Sequence, residues 1–277
     1  MAILLLNYSR SGGTLLSSVL SQLDGVILLS EVNPNTSASL SIKKQVKDWY
    51  GIDIRKGTYL EMVLELNEYC QQNQKILVIR DFSFADFTPH VLNNFEPEYE
   101  FSSVKILEGV IPLTIISFVR DAYDVWISRN CPPNFSTGYL KFAKKLVALK
   151  APIFKYENFC DFPEMELAKM CKTMGITYEK AALEKPNSYK NITGDNQIKK
   201  VSRGRKLNNI ARLKRKQIPQ KLLAIGKADT LLQKANLALN YPKNFSDEEM
   251  DTKYPNWIIA IKWSWFRYRN PSHFHTY

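Results

Sequence analysis

No two of the four cysteines (Cys70, Cys131, Cys160, Cys171) stand at C-x-x-C spacing. That excludes the usual zinc and dithiol motifs and leaves free thiols of a reducing compartment. No apolar run is long enough to cross a bilayer. The nearest candidate, Trp257 to Phe266, is about ten residues and contains Lys262, where a spanning helix needs roughly twenty. The apolar run at residues 2–6 has no basic segment before it and no cleavage site after it, so no signal peptide is read and a cytoplasmic setting is expected. Histidine is scarce, with only His90, His273 and His275 in 277 residues, and no metal-ligand spacing is found. Internal repeats, low-complexity linkers and Pro/Gly-rich boundaries are missing too.

What is there is globular in kind. Hydrophobic residues make up 45% and charged residues 23%, enough to build a core and too apolar for disorder. The formal charge of +11 suits polyanionic ligands, nucleic acid or an anionic membrane, and composition does not choose among them.

Short, continuous apolar stretches predict strands at 2–7, 26–30, 75–80, 113–119 and 152–156. Unalternated runs of this kind fit parallel strands buried on both faces. Helical patterns lie between them at 14–23, 58–72, 122–130, 138–149 and 164–174. The alternation predicts an α/β fold, a P-loop-like central parallel sheet flanked by helices. Residues 186–216 are polar and basic, and the run Lys214–Lys216 reads as a solvated helix face. A last helix is expected over about 217–239, with Pro219 near its start and Pro242 just beyond it. The expected organisation is one domain over 1–240, carrying an aromatic-rich tail at 241–277. The tail aromatics Trp257, Trp263, Trp265 and Phe266 fit core packing or a homodimer contact, an acceptor site, or a membrane surface.

The segment Asn7-Tyr8-Ser9-Arg10-Ser11-Gly12-Gly13-Thr14 joins the first strand to the first helix. Glycine lets backbone approach an anion closely, and a helix start directs unpaired N–H groups and a positive dipole end at it. Ser11 and Thr14 add hydroxyls and Arg10 adds a guanidinium fork. The alternative is a tight turn without a ligand. No lysine follows the glycines, which disfavours a P-loop NTPase or nucleotide kinase and favours an anion handled without a metal.

A second strand-to-helix motif reads Ser-Phe-Val-Arg-Asp-Ala-Tyr-Asp-Val-Trp-Ile-Ser-Arg over 117–129. Ser128 lies eight residues, about two helical turns, beyond Arg120, so both could grip one phosphate. Equally, Arg120 could pair with Asp121 or Asp124 and leave Ser128 to solvent.

Strand–SRSGGT–helix followed by strand–RDAYDVWIS–helix resembles the sulfotransferases that use 3′-phosphoadenosine 5′-phosphosulfate (PAPS). Residues 155–179, KYENFCDFPEMELAKMCKTMGITYE, resemble that family's strand–loop–helix after the last core strand. The stretch NITGDNQIKKVSRG is similar to bacterial, cyanobacterial-type members. The resemblance implies that Arg10, Ser11, Gly12, Gly13 and Thr14 hold the 5′-phosphosulfate. It assigns the 3′-phosphate to Arg120 and Ser128, with Arg203, Gly204 and Arg205 as the basic C-terminal loop. It implies PAPS as donor, PAP as product, a small-molecule or carbohydrate acceptor, and neither metal nor nucleic acid. Gly13 departs from the family pattern, which has Thr or Ser there, and Arg10 stands where many members have lysine.

Sulfuryl transfer asks for positive donors at the bridging oxygen and a general base opposite the sulfur. Arg10 is the expected donor. The strand-end histidine of the family's cytosolic branch is missing here, so a carboxylate base is expected: Glu31 first, then Asp81, with His90 third. Residues 35–57, 82–104 and 130–138 are the candidate segments for acceptor choice. A nucleic-acid-binding protein would use the 199–216 basic run, but it leaves both strand-end motifs without a role.

Overall fold

The computed structural model describes residues 1–35, 42–55, 57–89, 97–184, 210–246, 250 and 254–269. The contacts divide the chain into two compact units. One comprises Met1–Val119 with Ala151–Ala211, and the other Arg120–Lys150 with Arg212–Tyr277.

The first unit is built on five parallel strands: β1 (Ala2–Asn7), β2 (Val26–Val32), β3 (Ile76–Asp81), β4 (Leu113–Val119) and β5 (Ile153–Lys155). Its helices are α1 (Gly13–Leu20), α2 (Ile42–Tyr50), α3 (Tyr59–Gln72), α4 (Phe84–Phe87) and α5 (Ser102–Leu107). The second unit contributes α6 (Ala122–Ser128) and α7 (Phe135–Ala148). The chain then returns to the first unit with α8 (Tyr156–Asp161), α9 (Pro163–Met174) and α10 (Ala181–Glu184). It ends in the second with α11 (Gln220–Ala228), α12 (Thr230–Ala238) and α13 (Asn256–Arg269).

The sheet order is β2-β3-β1-β4-β5. The connection leaving β1 leads to β2 on one side and the connection leaving β4 leads to β5 on the other, so the winding reverses between β1 and β4. Ligands of open α/β sheets bind at the carboxyl ends of strands at such a reversal. Every residue of β1 is buried, as its unbroken apolar run requires. Ile3, Leu5, Leu28, Val78, Ile116 and Phe118 pack against Leu16 and Val19 of α1 and against Phe159, Leu167 and Met170. On other strands α2 packs on β2 and α3 on β3. None of the three segments marked for acceptor choice is a continuous loop. The first contains α2, the second contains α4 and the start of α5, and the third contains the start of α7.

In the second unit the expected helix over 217–239 is two helices. Asp229 ends α11 and caps α12, its carboxylate accepting from Leu231 N at 2.8 Å and Leu232 N at 3.1 Å. An aspartate inside a helical pattern competes for backbone donors in this way and starts a new helix. The run Lys214–Lys216 is not a helix face. It lies outside any helix, and Arg215 is buried and forms an isolated β-bridge with Met250.

Candidate active site

The chain reverses from β1 into α1 through Tyr8–Gly12. Ser11 N donates to Tyr8 O at 3.2 Å, and Arg10 (φ 72°) and Gly12 (φ 85°) take left-handed backbone. A side chain at Gly12 would meet that φ and also the Tyr156 ring, with Cε2 at 2.9 Å and Phe118 at 3.4 Å. The loop therefore lies directly on the ends of β4 and β5. Gly13 has ordinary backbone, but its Cβ would fall on the Asn7 amide nitrogen and 3.0 Å from Arg80 Nη1. The Thr or Ser of the resembled pattern does not fit here, because two polar side chains occupy its space.

Two features leave this helix start open to an anion. Gly12 offers α1 no side-chain cap, so its first N–H groups are not satisfied from the cap position. The Ser11 hydroxyl is fully buried and has no hydrogen-bond partner among the described residues, which normally costs about 1–3 kcal/mol. A preorganised anion site carries such a cost until its ligand arrives. By contrast, α6 is already capped by Asp121, which accepts from Tyr123 N at 2.9 Å and Asp124 N at 3.2 Å.

Beneath the cradle, Arg80 is 1% exposed and pairs through Nη2 with Glu31 Oε1 at 2.7 Å, while Glu31 stays 24% exposed. The register of β2 against β3 shifts between Ser30 and Val32, so Glu31 is the extra residue of a bulge, at φ 56°. Bulges near strand ends re-aim a side chain, and a left-handed φ outside glycine is held only where surroundings enforce it. One guanidinium thus touches both the cradle glycine and the first-choice carboxylate. Glu31 is thereby held as an ion-pair partner of Arg80.

Asp81 is enclosed. It accepts from Ser83 Oγ at 2.6 Å, from Asn33 Nδ2 at 3.3 Å and from the Ser103 hydroxyl. Asp86 accepts from Asn33 Nδ2 at 2.9 Å, Asn35 Nδ2 at 3.1 Å and Ser102 Oγ at 2.6 Å. Burial, then repulsion from Asp86, pushes Asp81 up to about 7, and burial raises Asp86 as well. Asn33 joins the two. A cavity of about 380 Å³ opens at Asp86, lined also by Pro34, Asn35, Glu98, Glu100 and Ser102. All but Ile106 and Lys105 of its lining come from the segment after β2 or from residues 82–104.

In the second unit Arg120 follows β4 and is buried. Its Nη2 lies 3.4 Å from Asp124 Oδ2, and its carbonyl accepts from the Tyr139 hydroxyl at 2.7 Å. Arg215 reaches the same carboxylate through Nε at 2.5 Å and stacks its guanidinium on Phe245 at 4.3 Å. Ser128 is the last residue of α6. The Arg120–Asp124 pairing weighed from the sequence is present, and Arg215 is a second arginine that the sequence reading assigned to solvent. Asn236, also unforeseen, is fully buried and binds Ala122 N at 2.7 Å and Asp121 Oδ2 at 2.9 Å. His90, Arg203, Gly204 and Arg205 lie outside the described residues. Among the described residues no group of three or more His, Cys, Asp or Glu could hold a metal. No helix among them is long and apolar enough to cross a membrane.

Set against solved structures, the chain matches a sulfotransferase domain from the curacin biosynthetic pathway at TM-score 0.55 and 15% identity. The match covers 87% of this chain and 97% of that one. The fold is that of a sulfotransferase domain. A sulfotransferase domain of the Synechococcus PCC 7002 olefin synthase matches at TM-score 0.49 and 17% identity, over 86% of this chain and 93% of that one. A mouse sulfotransferase complexed with PAP matches at TM-score 0.36 and 16% identity, over 67% and 62%. No protein-family model and no curated protein matches the chain. The five-stranded parallel sheet flanked by helices is the fold that the sequence motifs had suggested.

Proposed function

We propose that the chain transfers a sulfuryl group from PAPS to a hydroxyl or amine of a small-molecule or carbohydrate acceptor. The observation that carries this reading is the cradle: an uncapped helix start, a buried Ser11 hydroxyl lacking a partner among the described residues, and no P-loop lysine. Bound there, PAPS supplies an activated sulfuryl group on a phosphate leaving group. Gly12, Gly13, Ser11 and Thr14 would hold its 5′ end through N–H and hydroxyl donors, and Arg10 would meet the charge that grows on the bridging oxygen. Arg120 and Ser128 are the proposed 3′-phosphate ligands on their own unit, with Arg203, Gly204 and Arg205 added by resemblance. No metal is needed for this chemistry. The domain assignment, 1–240 with the tail 241–277, and the cytoplasmic setting belong to the same proposal.

Glu31 is the proposed base. Its carboxylate is partly open to solvent and is oriented by Arg80 and by the bulge. Asp81 is the second candidate; Ser83, Asn33 and Ser103 donate to it, and it has almost no exposure. In the reaction the acceptor oxygen or nitrogen bonds to sulfur as the bond from sulfur to the bridging phosphate oxygen breaks. PAP leaves with that electron pair, and the acceptor proton passes to the carboxylate.

Thermal-shift measurements test this directly. PAP without Mg²⁺ is expected to raise the Tm, with about 2.7 kcal/mol of stabilisation at a hundredfold excess over Kd. Strong stabilisation by ATP·Mg, with none by PAP, would instead favour a P-loop nucleotide kinase or NTPase relative. Arg120→Ala is expected to weaken PAP about tenfold or more, the loss of a charge-assisted contact. Glu31→Gln keeps the contact to Arg80 and is expected to retain PAP binding while lowering turnover about a hundredfold or more. Full turnover in Glu31→Gln would remove Glu31 from the mechanism.

A further inference from the structure

The helix α13 is apolar on two sides. One side is inward: Ile259 is buried, and Trp263 and Phe266 are half-buried and meet edge to face at 6.2 Å. The segment is anchored ahead of the helix by Gln217, whose Nε2 donates to Tyr254 O at 2.8 Å and whose Oε1 accepts from Tyr254 N at 2.9 Å. A helix packed this way ordinarily turns a polar face to water. This one does not. Trp257 is 65% exposed, Ile261 60%, Trp265 56% and Tyr268 84%.

At 100° per residue those four positions fall within about 80° of one another, on the side away from Ile259 and Phe266. They form a continuous stripe of two tryptophans, an isoleucine and a tyrosine along about three turns. Exposed apolar surface of this extent marks an interaction site, and the composition says which kind. Trp and Tyr are the side chains that settle at the membrane–water boundary, with an apolar ring on one side and a polar edge on the other. Charge decides between that boundary and a protein partner. From residue 252 to 277 the chain has no Asp or Glu, while Lys253, Lys262, Arg267 and Arg269 are all cationic. A second copy would bring the same positive sign to the contact, whereas an anionic bilayer complements it.

We infer that α13 docks on an anionic membrane surface, lying in the plane of the headgroups with Trp257, Ile261, Trp265 and Tyr268 inserted. The helix is far too short to span. Interfacial attachment of this type needs an apolar face together with basic charge, and both are on this segment.

Flotation of the full chain with vesicles tests it. Vesicles of phosphatidylcholine with about 30 mol% phosphatidylserine should carry the protein up the gradient, and pure phosphatidylcholine vesicles should carry about tenfold less. Binding to the anionic vesicles should fall steeply with added salt. Trp257→Ser/Ile261→Ser, at two surface positions, should keep the parent Tm and lose about tenfold or more of the vesicle binding. The parent protein failing to float with anionic vesicles overturns the inference, as does a double variant that floats as well as its parent. Concentration-dependent dimerisation that disappears in the double variant, without vesicle binding in the parent, assigns the stripe to a second copy of the chain and also overturns it.

Discussion

At Gly13 the space of the missing side chain is already taken by the Asn7 amide and by Arg80 Nη1. The resembled family pattern has a hydroxyl residue at this position, and the sequence offers no reason for its loss. Part of the reason is long-range: Arg80 enters from β3, some seventy residues on, and with the Asn7 amide it fills the space a side chain here would take. Restoring the hydroxyl is therefore expected to harm the protein. Gly13→Ser should cost about 1–3 kcal/mol in urea denaturation, the usual penalty for overpacking. Adding Asn7→Ala should return part of that loss, because the amide is the nearer obstacle. A Gly13→Ser protein as stable as its parent would show that Asn7 and Arg80 move aside freely. Arg80 itself was visible as a cation at the end of an apolar strand, next to Asp81. What could not be read was its partner, because a bulge in β2 turns Glu31 onto it.

Elements were more legible than their contacts. The strands β1 and β4 occupy the ranges expected from their apolar runs, and all five strands are parallel, as unalternated burial implies. The helical pattern read at 58–72 is α3, and in the structure a capping box between Thr58 and Glu61 closes its start. The failures have local causes. Asp229 sits within a helical period, and periodicity alone does not reveal that its carboxylate takes Leu231 N and Leu232 N and divides the helix. Arg215 belongs to a run of like charges that normally points to water, yet Asp124, Asp121 and the Phe245 ring bury it. Asp229→Ala should cost about 1 kcal/mol, the typical worth of a helix cap. The comparison to make is with Asp229→Asn, which keeps an acceptor and should lose much less. Equal losses would mean that the cap hydrogen bonds are not what Asp229 contributes.

Over the whole chain the formal charge of +11 draws the eye to its cations, and the acidic pair behind β3 passes unnoticed in such a count. Asp81 was legible as a strand-end carboxylate. Its surroundings were not, because Ser102, Ser103 and Asn33 arrive from α5 and from beyond β2. Their assembly makes the pair a pH-dependent element. Burial, with the charge of Asp86 behind it, raises the Asp81 carboxyl from its ordinary value near 3.8 to about 7. The folded protein then binds a proton that the unfolded chain has released, so between those two values stability falls as pH rises. The contribution is fully present below the unfolded value and is lost as pH passes through about 7. Asp86 is raised in the same direction and adds to the slope. In Asp81→Asn the proton-linked part at this position is gone, and so is the repulsion on Asp86. Urea denaturation at about pH 4.5, 6 and 8 should show the parent losing stability relative to Asp81→Asn across the series, with the amide variant gaining most by pH 8. A difference between the two proteins that stays constant from pH 4.5 to 8 would mean that Asp81 is charged in the fold throughout, its three donors outweighing its burial.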